Sequence, residues 1–499
     1  MKKTNLILLF ALLSNFIYSQ NIDPKLNGID KEIETLIKSY KAVGVSVAVV
    51  KGDKIIYSKG FGYRNLEEKL PVDEKTLFPI ASVTKAFTAS LLGILEEEGK
   101  VSLNQKPSYY IPRLQFYNNE MDNLITIKSL LSHKSGIGSV DGSLVLFAEN
   151  NRLKSLEKFK HLQPNGKIND SWIYSNAGYT IAGTVVEQVT DKTWGDNIRD
   201  RIFRPLNMEN SFITIENMKH TNNYSLVYGL SKGTIKQVLF EEYFDYAPAG
   251  AIKSCTKDLA NWTITWLNEG KFKDQQILPK EYVHEATSIQ NIRDGSGDRE
   301  VFLFGDGFGW RMESQMGQYK VYHGGNSSGA SSLILTYPFE RLGIIVLTNQ
   351  QASLLPYMIG EVIKTRMLNL PKVEISQYPV IVTDIHTDDK TIKPINEENK
   401  PSHTLADFCG SYFHKGYGKL KVIEKGNSLF VVFPSYTFRL QHTGFNSFQM
   451  KLTEEIPQVL NPEFFYLDFQ TNYKGAISSL KTNLQYKPVE FKKEKTATQ

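Results

Sequence analysis

Four Ser-x-x-Lys spacings occur in the chain: Ser82/Lys85, Ser155/Lys158, Ser254/Lys257 and Ser478/Lys481. In a helix this spacing puts both side chains on one face, so a hydroxyl can sit beside a cation. The serine gains most at a helix start, where backbone N–H groups are free and the dipole favours an anion. Ser82 meets both demands. Pro79 blocks any earlier helix, and behind Ser82 run Ala86, Phe87, Ala89, Leu91, Leu92, Ile94 and Leu95, apolar nearly all round. That pattern predicts a buried helix with a partly desolvated lysine at its mouth. Ser155 lies among Lys154, Glu157 and Lys158 and reads as part of a solvated face. Ser478 is in strand-like sequence, where residues three apart face opposite sides. Ser254 has no apolar helix directly behind it. Ser82 is therefore the expected nucleophile, although a plain helix N-cap would use the same residue.

Taken in chain order, Ser82-Val83-Thr84-Lys85, Tyr174-Ser175-Asn176 and His323-Gly324-Gly325 resemble the ordered S-x-x-K, Y-x-N and K-T-G motifs of serine β-lactamases and penicillin-binding proteins. The likeness is nearest to the class C enzymes and their esterase and D-aminopeptidase relatives, and it covers roughly residues 28 to 370. Leu130-Leu131-Ser132-His133-Lys134-Ser135-Gly136-Ile137 and Pro248-Ala249-Gly250 add to it. Other Y-x-N spacings, Tyr63/Asn65 and Tyr117/Asn119, lack the motif order or the apolar support that follows Tyr174. Lys134-Ser135-Gly136 precedes Tyr174 in a glycine-rich loop and is not read as the K-T-G equivalent; His133 beside it reads as a packed, loop-bracing residue.

The resemblance implies an α/β fold of the β-lactamase/transpeptidase type: an antiparallel sheet flanked by helices, with a helical subdomain. It implies catalysis by Ser82, Lys85 and Tyr174, and substrate binding by Asn176, His323, Gly325 and Asn326. Small residues at 324–325 would let substrate lie against a strand end. The N–H groups of Ser82 and Asn326 would form the oxyanion hole. A serine hydroxyl needs a base before it attacks. A free tyrosine titrates near ~10, and the Lys85 cation would favour its phenolate. The expected product is a Ser82 ester that water then cleaves, releasing an ester- or amide-derived acid. Two alternatives stand beside this: a true β-lactamase or D,D-peptidase acting on peptidoglycan-like substrates, and a non-catalytic cell-wall or polysaccharide binder on the same fold. His323 stands where the family has lysine. With a reference pKa of ~6.5 it lacks a full charge at pH 7, which weakens recognition of a substrate carboxylate.

These residues need a scaffold to converge them. Residues 29–40 predict an amphipathic helix. Val43–Val50 and Ile55–Phe61 predict a hairpin about Lys51-Gly52-Asp53-Lys54. Strands return at 309–313, 319–323, 331–337 and 343–348, with a closing helix at 354–370. Strands at both ends with helices between them predict one sheet that joins the N- and C-terminal parts. Residues 371–400 are charged and aperiodic and read as a linker. Residues 401–499 alternate and are aromatic, which predicts a small all-β barrel or sandwich, separable from the rest. Asp407-Phe408, Gly410-Ser411-Tyr412 and Gly416-Tyr417-Gly418 resemble a lipocalin-like module often appended to this family.

The chain has 499 residues and a net charge of +5, too weak an excess for a dedicated nucleic-acid binder. Lys2 and Lys3 followed by apolar Leu6–Leu13 read as a signal peptide over residues 1–20, which implies a periplasmic or extracellular protein. No later segment reads as a membrane span. The expected domains are thus 1–20, 21–370, 371–400 and 401–499. Cys255 and Cys409 fall in different domains and make no disulfide framework. No metal-ligand spacing and no cofactor motif occurs. The expected partner is a small-molecule or short peptide substrate, and the sequence does not set the oligomeric state.

Overall fold

A computed structural model describes residues 23–138, 145–242, 245–293, 301–372, 380, 399–451, 465–484 and 488–495. The expected signal peptide lies outside these residues, as does most of the expected linker. Helix α1 (Ile29–Tyr40) buries Ile29, Ile33, Leu36 and Tyr40, a helical stripe on an otherwise charged segment. The hairpin of β1 (Gly44–Lys51) and β2 (Lys54–Asn65) comes next, with the short β3 (Leu70–Pro71) at its side. The helical part contributes α2 (Thr84–Glu97), α3 (Asn176–Thr190) and α4 (Thr256–Leu267). The chain then returns through β4 (Asn291–Ile292), β5 (Val301–Asp306), β6 (Arg311–Gln315), β7 (Gln318–Ser327), β8 (Ala330–Tyr337) and β9 (Leu342–Thr348) to α5 (Leu355–Met367).

The strands form one nine-stranded antiparallel sheet in the order β4-β5-β6-β7-β8-β9-β1-β2-β3. The join between the two ends of the fold is β1 against β9, from Val45↔Thr348 to Lys51↔Leu342. Both faces of β1 are covered, so it is buried from Gly44 to Val50 and nearly all apolar, with Ser46 held by Thr256 Oγ1 at 2.8 Å. Val45, Val47 and Val49 pack with α1 and α5, while Ala48 and Val50 join the core on the opposite face, where α2 and α4 lie.

Two expectations need correction. Strand β7 does not end near His323; it runs on to Ser327, because Gly324, Gly325 and Asn326 keep their pairing with Leu333, Ser332 and Ser331. Ser254 does precede an apolar helix, α4, but its partner Lys257 is exposed and Ser254 itself lies in a strand pair with Phe78.

The C-terminal part is a closed eight-stranded antiparallel barrel: β10 (Gly410–His414), β11 (Gly418–Lys425), β12 (Ser428–Val432), β13 (Thr437–Gly444), β14 (Ser447–Lys451), β15 (Tyr466–Thr471), β16 (Ile477–Thr482) and β17 (Val489–Lys493). Alternate residues such as Leu420, Val422, Val431, Phe438, Met450, Phe469 and Phe491 are buried and fill its interior. The barrel's core is continuous with that of the helical part. Phe147, from the helical part, is only 1% exposed and packs on Tyr417, Phe433 and Phe491, so one hydrophobic cluster runs through both parts. Both cysteines are unpaired.

Candidate active site

Ser82 sits in a tight turn, Ala81–Val83, directly before α2. Ala81 is held at φ 45°, a left-handed conformation that costs energy for a residue with a Cβ and persists only where packing enforces it. The enforcement comes from β7 on one side and from Ile252 on the other, whose carbonyl accepts from Ile80 N at 3.0 Å. Behind the turn, α2 is buried from Thr84 to Gly93, as its sequence requires.

Lys85 is fully buried. Its Nζ donates to Ser82 Oγ at 3.2 Å, Asn176 Oδ1 at 2.7 Å and the carbonyl of Ala249 at 2.9 Å. Those acceptors match the three donors of an ammonium, which a buried lysine needs if it is to stay charged. Tyr174 OH donates to the same Ser82 Oγ at 2.8 Å, and Lys85 Nζ lies 4.8 Å from the tyrosine ring centroid. A hydroxyl is thus bracketed by a phenol and an ammonium.

Tyr174 is held through the start of α3 and through His133. Ser175 caps α3, accepting from Gly178 N at 3.0 Å, and its own N–H donates to His133 Nδ1 at 3.1 Å. The His133 ring lies 4.5 Å from that of Tyr174. Burial, with the Lys85 cation adding to it, holds the His133 pKa well below the usual histidine range. His133 is therefore a neutral acceptor that braces the turn. Asn176 opens α3 and turns its carbonyl oxygen to Lys85.

His323 is buried, its Nδ1 2.7 Å from the carbonyl of Gly324. Burial first, then the charges of Arg311 and Lys85, hold its pKa well below the ordinary value. Gly325 lies where a side chain would collide with its neighbours. A Cβ there would stand 2.2 Å from Ile80 O and 2.5 Å from Ser332 Oγ, and one at Gly324 would stand 2.1 Å from Tyr357 OH. The smallness of Gly325 lets β7 press against the nucleophile turn, and that of Gly324 makes room for Tyr357 of α5. Asn326 is exposed, its Oδ1 accepting from Ser331 Oγ at 2.8 Å.

Sequence reasoning missed Arg311. Its guanidinium carbon lies 5.7 Å from the Tyr174 ring centroid, with the side chain 22% exposed. Burial works against its charge, but Tyr174 and Asp306 outweigh that and raise its pKa. Asp306 stands 3.8 Å from Arg311 Nε and 3.6 Å from Arg293 Nε. Burial pushes the Asp306 carboxyl up to about 6 in spite of both arginines. No local pattern marks Arg311; only the pairing of β6 with β7, Arg311 opposite Tyr322, brings it to the site.

The other Ser-x-x-Lys pairs do not join this group. Ser155 and Lys158 are not on a solvated face: Ser155 is buried, donating to Asp245 Oδ2 at 2.5 Å, and Lys158 Nζ reaches the carbonyl of Tyr417 in the barrel at 3.4 Å. The barrel covers a segment that is polar by sequence. A separate cleft of about 970 Å³, lined by Trp266, Trp310, Tyr319 and Phe339 among others, includes none of the Ser82 group. Among the described residues no cluster of His, Cys, Asp and Glu is placed to hold a metal, and no helix is long and apolar enough to cross a membrane.

The sequence profile of the Beta-lactamase family matches residues 29–358, and that of a domain of unknown function, DUF3471, matches residues 395–495. The chain is 29% identical over 350 residues to Protein flp of Staphylococcus aureus (strain N315), covering 68% of this chain and 66% of that protein's length. It is 25% identical over 340 residues to Penicillin-binding protein 4* of Bacillus subtilis (strain 168), covering 64% of this chain and 70% of that one. The octameric penicillin-binding protein homologue from Pyrococcus abyssi shares the fold, with a TM-score of 0.60 at 22% identity over 94% of this chain and 100% of that one. With a family match that runs from α1 into α5 and takes in Ser82, Lys85, Tyr174 and His323 on the way, the chain belongs to the Beta-lactamase family.

Proposed function

We propose that the protein is an exported serine hydrolase that cleaves an ester or amide bond through a Ser82 acyl-enzyme. The observation that carries this is the pair of hydrogen bonds on Ser82 Oγ, 2.8 Å from Tyr174 OH and 3.2 Å from a fully buried Lys85 Nζ. As phenolate, Tyr174 takes the serine proton while Oγ attacks the carbonyl carbon, and passes that proton to the leaving group as the tetrahedral intermediate collapses. The buried Lys85 charge stabilises the phenolate. Asn176 orients Lys85 through Oδ1 and, on this reading, hydrogen-bonds the substrate beside its amide or ester group. The backbone N–H groups of Ser82 and Asn326 are the proposed oxyanion donors. Water then cleaves the Ser82 ester, with Tyr174 again handling the proton.

A neutral His323 gives a substrate carboxylate no fixed charge at the position where the family's motif has lysine, which favours uncharged esters or D-amino-acyl amides over penicillins. The relatives named for penicillin binding support testing the β-lactam reading beside it. The test is labelling with a fluorophosphonate, followed by peptide mass mapping and a rate screen on nitrophenyl esters, D-amino-acid amides and nitrocefin. The expected adduct is on Ser82. Labelling that persists in Ser82→Ala, or no labelling and no turnover of any substrate by the wild type, overturns the proposal in favour of a binding protein.

A further inference from the structure

The barrel interior is closed by its own side chains, and at its junction with the helical part it takes in one residue that is not its own. Phe147 stacks on Phe491 at 5.8 Å and 15° and meets Phe433 and Tyr417 edge-on at 5.2 and 5.8 Å. The backbone on either side is fastened to the same place. Ser435 N donates to the carbonyl of Leu146 at 3.4 Å, and Lys158 Nζ donates to the carbonyls of Phe147 at 3.1 Å and Tyr417 at 3.4 Å while pairing with Glu149 at 2.5 Å.

The segment gripped this way is tied at its other end to Asp245, which is buried. Asp245 Oδ2 accepts from Glu149 N at 2.8 Å and from Ser155 Oγ at 2.5 Å, and the carbonyl of Asp245 accepts from Arg152 Nε at 3.0 Å. Asp245 begins the turn that leads into the short helix Ala247–Gly250. That turn is wedged between α2 and α3: Thr88 Oγ1 donates to the carbonyl of Pro248 at 2.6 Å, and the carbonyl of Ala249 is one of the three acceptors of Lys85. A continuous series of contacts, part-buried at Glu149 and Arg152 and buried at both ends, therefore runs from the barrel's aromatic seat to the ammonium beside Ser82.

We propose that Phe147 is a positioning residue: seated in the barrel, it fixes the Asp245–Gly250 turn whose Ala249 carbonyl holds Lys85 against Ser82. On this view the barrel acts on acylation through one place, the aromatic seat of Tyr417, Phe433 and Phe491 that holds Phe147. The inference rests on the acyl-enzyme reading above. Withdrawing Phe147 frees the 147–158 segment, lets the turn shift, and moves the cation relative to the phenol and the serine. Sub-ångström to one-ångström shifts of a reacting group cost up to ~100-fold in rate, and a cation further from the phenol leaves the phenolate form less populated at a given pH.

The experiment uses the full chain and a fluorophosphonate whose reaction with Ser82 is followed as binding and acylation separately. Phe147→Ala is expected to lower the acylation rate constant about 10- to 100-fold with little change in probe binding, and to move the acid limb of the pH–rate profile upward. Phe433→Ala, on the barrel side of the same contact, is expected to give the same signature, and Phe147→Leu to recover most of the loss. Phe469→Leu is the control: Phe469 packs on Phe408, Tyr412 and Phe448, away from Phe147, and its substitution is expected to leave acylation unchanged. Wild-type acylation and pH profile in folded Phe147→Ala overturn the proposal, as does an equal loss in Phe469→Leu, which would point to general loosening of the barrel. A wild-type chain that never takes label on Ser82 refutes the acyl-enzyme reading and this proposal with it, whereas a labelled wild type with an unaffected Phe147→Ala refutes only the proposal.

Discussion

Gly325→Ala is the sharpest small perturbation the site allows. The added methyl would lie 2.2 Å from Ile80 O, 2.5 Å from Ser332 Oγ and 3.1 Å from Ala81 Cβ. Real Cβ contacts essentially never fall below 3.0 Å, so the gap to Ile80 must open by about 1 Å. Rotating Ser332 relieves the second contact and not the first, because Ile80 O is backbone. That same oxygen accepts from Ser332 Oγ at 2.8 Å and from Val83 N at 3.2 Å, so it is held in place from both sides. The relief must therefore come from β7 or from the turn that carries Ser82. Overpacking of this kind costs ~1–3 kcal/mol of stability, and a displacement of about 1 Å at a reacting group costs on the order of 100-fold in turnover. The assay pairs denaturant unfolding with turnover of the best substrate from the screen. The expected result is a large loss of kcat beside a modest loss of stability. Turnover within about 2-fold of wild type, with an unchanged unfolding midpoint, would show that β7 does not approach the nucleophile turn this closely in solution, and the reasoning would fall.

Ser82→Ala is expected to lose at least ~10³-fold in turnover while unfolding at the wild-type midpoint; near-wild-type rates on every substrate would remove Ser82 as nucleophile. Stability should carry the mark of His323. Its folded pKa is depressed, so its contribution is fully present above the unfolded value of ~6.5 and is lost as pH falls below it, at about 1.4 kcal/mol per pH unit. His323→Gln should therefore narrow its stability gap to wild type by about 1 kcal/mol between pH 6.5 and 5.5, where the slope is still building; a constant gap in urea titrations would refute a neutral buried His323. Asp306, raised to about 6, acts with the opposite sign: its carboxylate form disfavours the fold above that pH, and stability is gained as pH falls from about 6 toward 4. Asp306→Asn should abolish that gain in the same titration. Nitrocefin turnover by the wild type should stay about tenfold or more below that of an uncharged nitrophenyl ester and show no rise from pH 8 to pH 6. A rise toward pH 6 would point to His323 gaining a proton, against the lowering that its burial imposes.

Ser82 and Lys85 are legible in the sequence because the cue is local: a proline, a serine and a helix apolar on all sides. The hairpin of β1 and β2 and helix α1 are legible for the same reason, each having a period that its neighbours do not contradict. Exposure set by distant chain is not legible. Ser155 and Lys158 lie in polar sequence of the kind that faces water, but Asp245 and the barrel cover them. The barrel's strands can be read from alternation, whereas the insertion of Phe147 cannot, since nothing near position 147 encodes Tyr417, Phe433 or Phe491 as neighbours. Arg311 likewise gains its place from strand pairing. The two glycines of β7 are visible as small residues, but the need for smallness comes from Ile80 on one face and Tyr357 on the other.

The seam between β1 and β9 sets a schedule for assembly. Val45 pairs with Thr348, so the N-terminal hairpin has no neighbour on that side until some three hundred further residues have been made. At synthesis rates of ~5–20 residues per second that is a wait of roughly 15–60 s, during which β1, apolar on both faces, is an unprotected edge. Contacts of such long sequence separation are also slow to form. The sheet thus cannot close on this side until β9 arrives, and for that interval the exposed edge of β1 is open to pairing with any other unpaired strand.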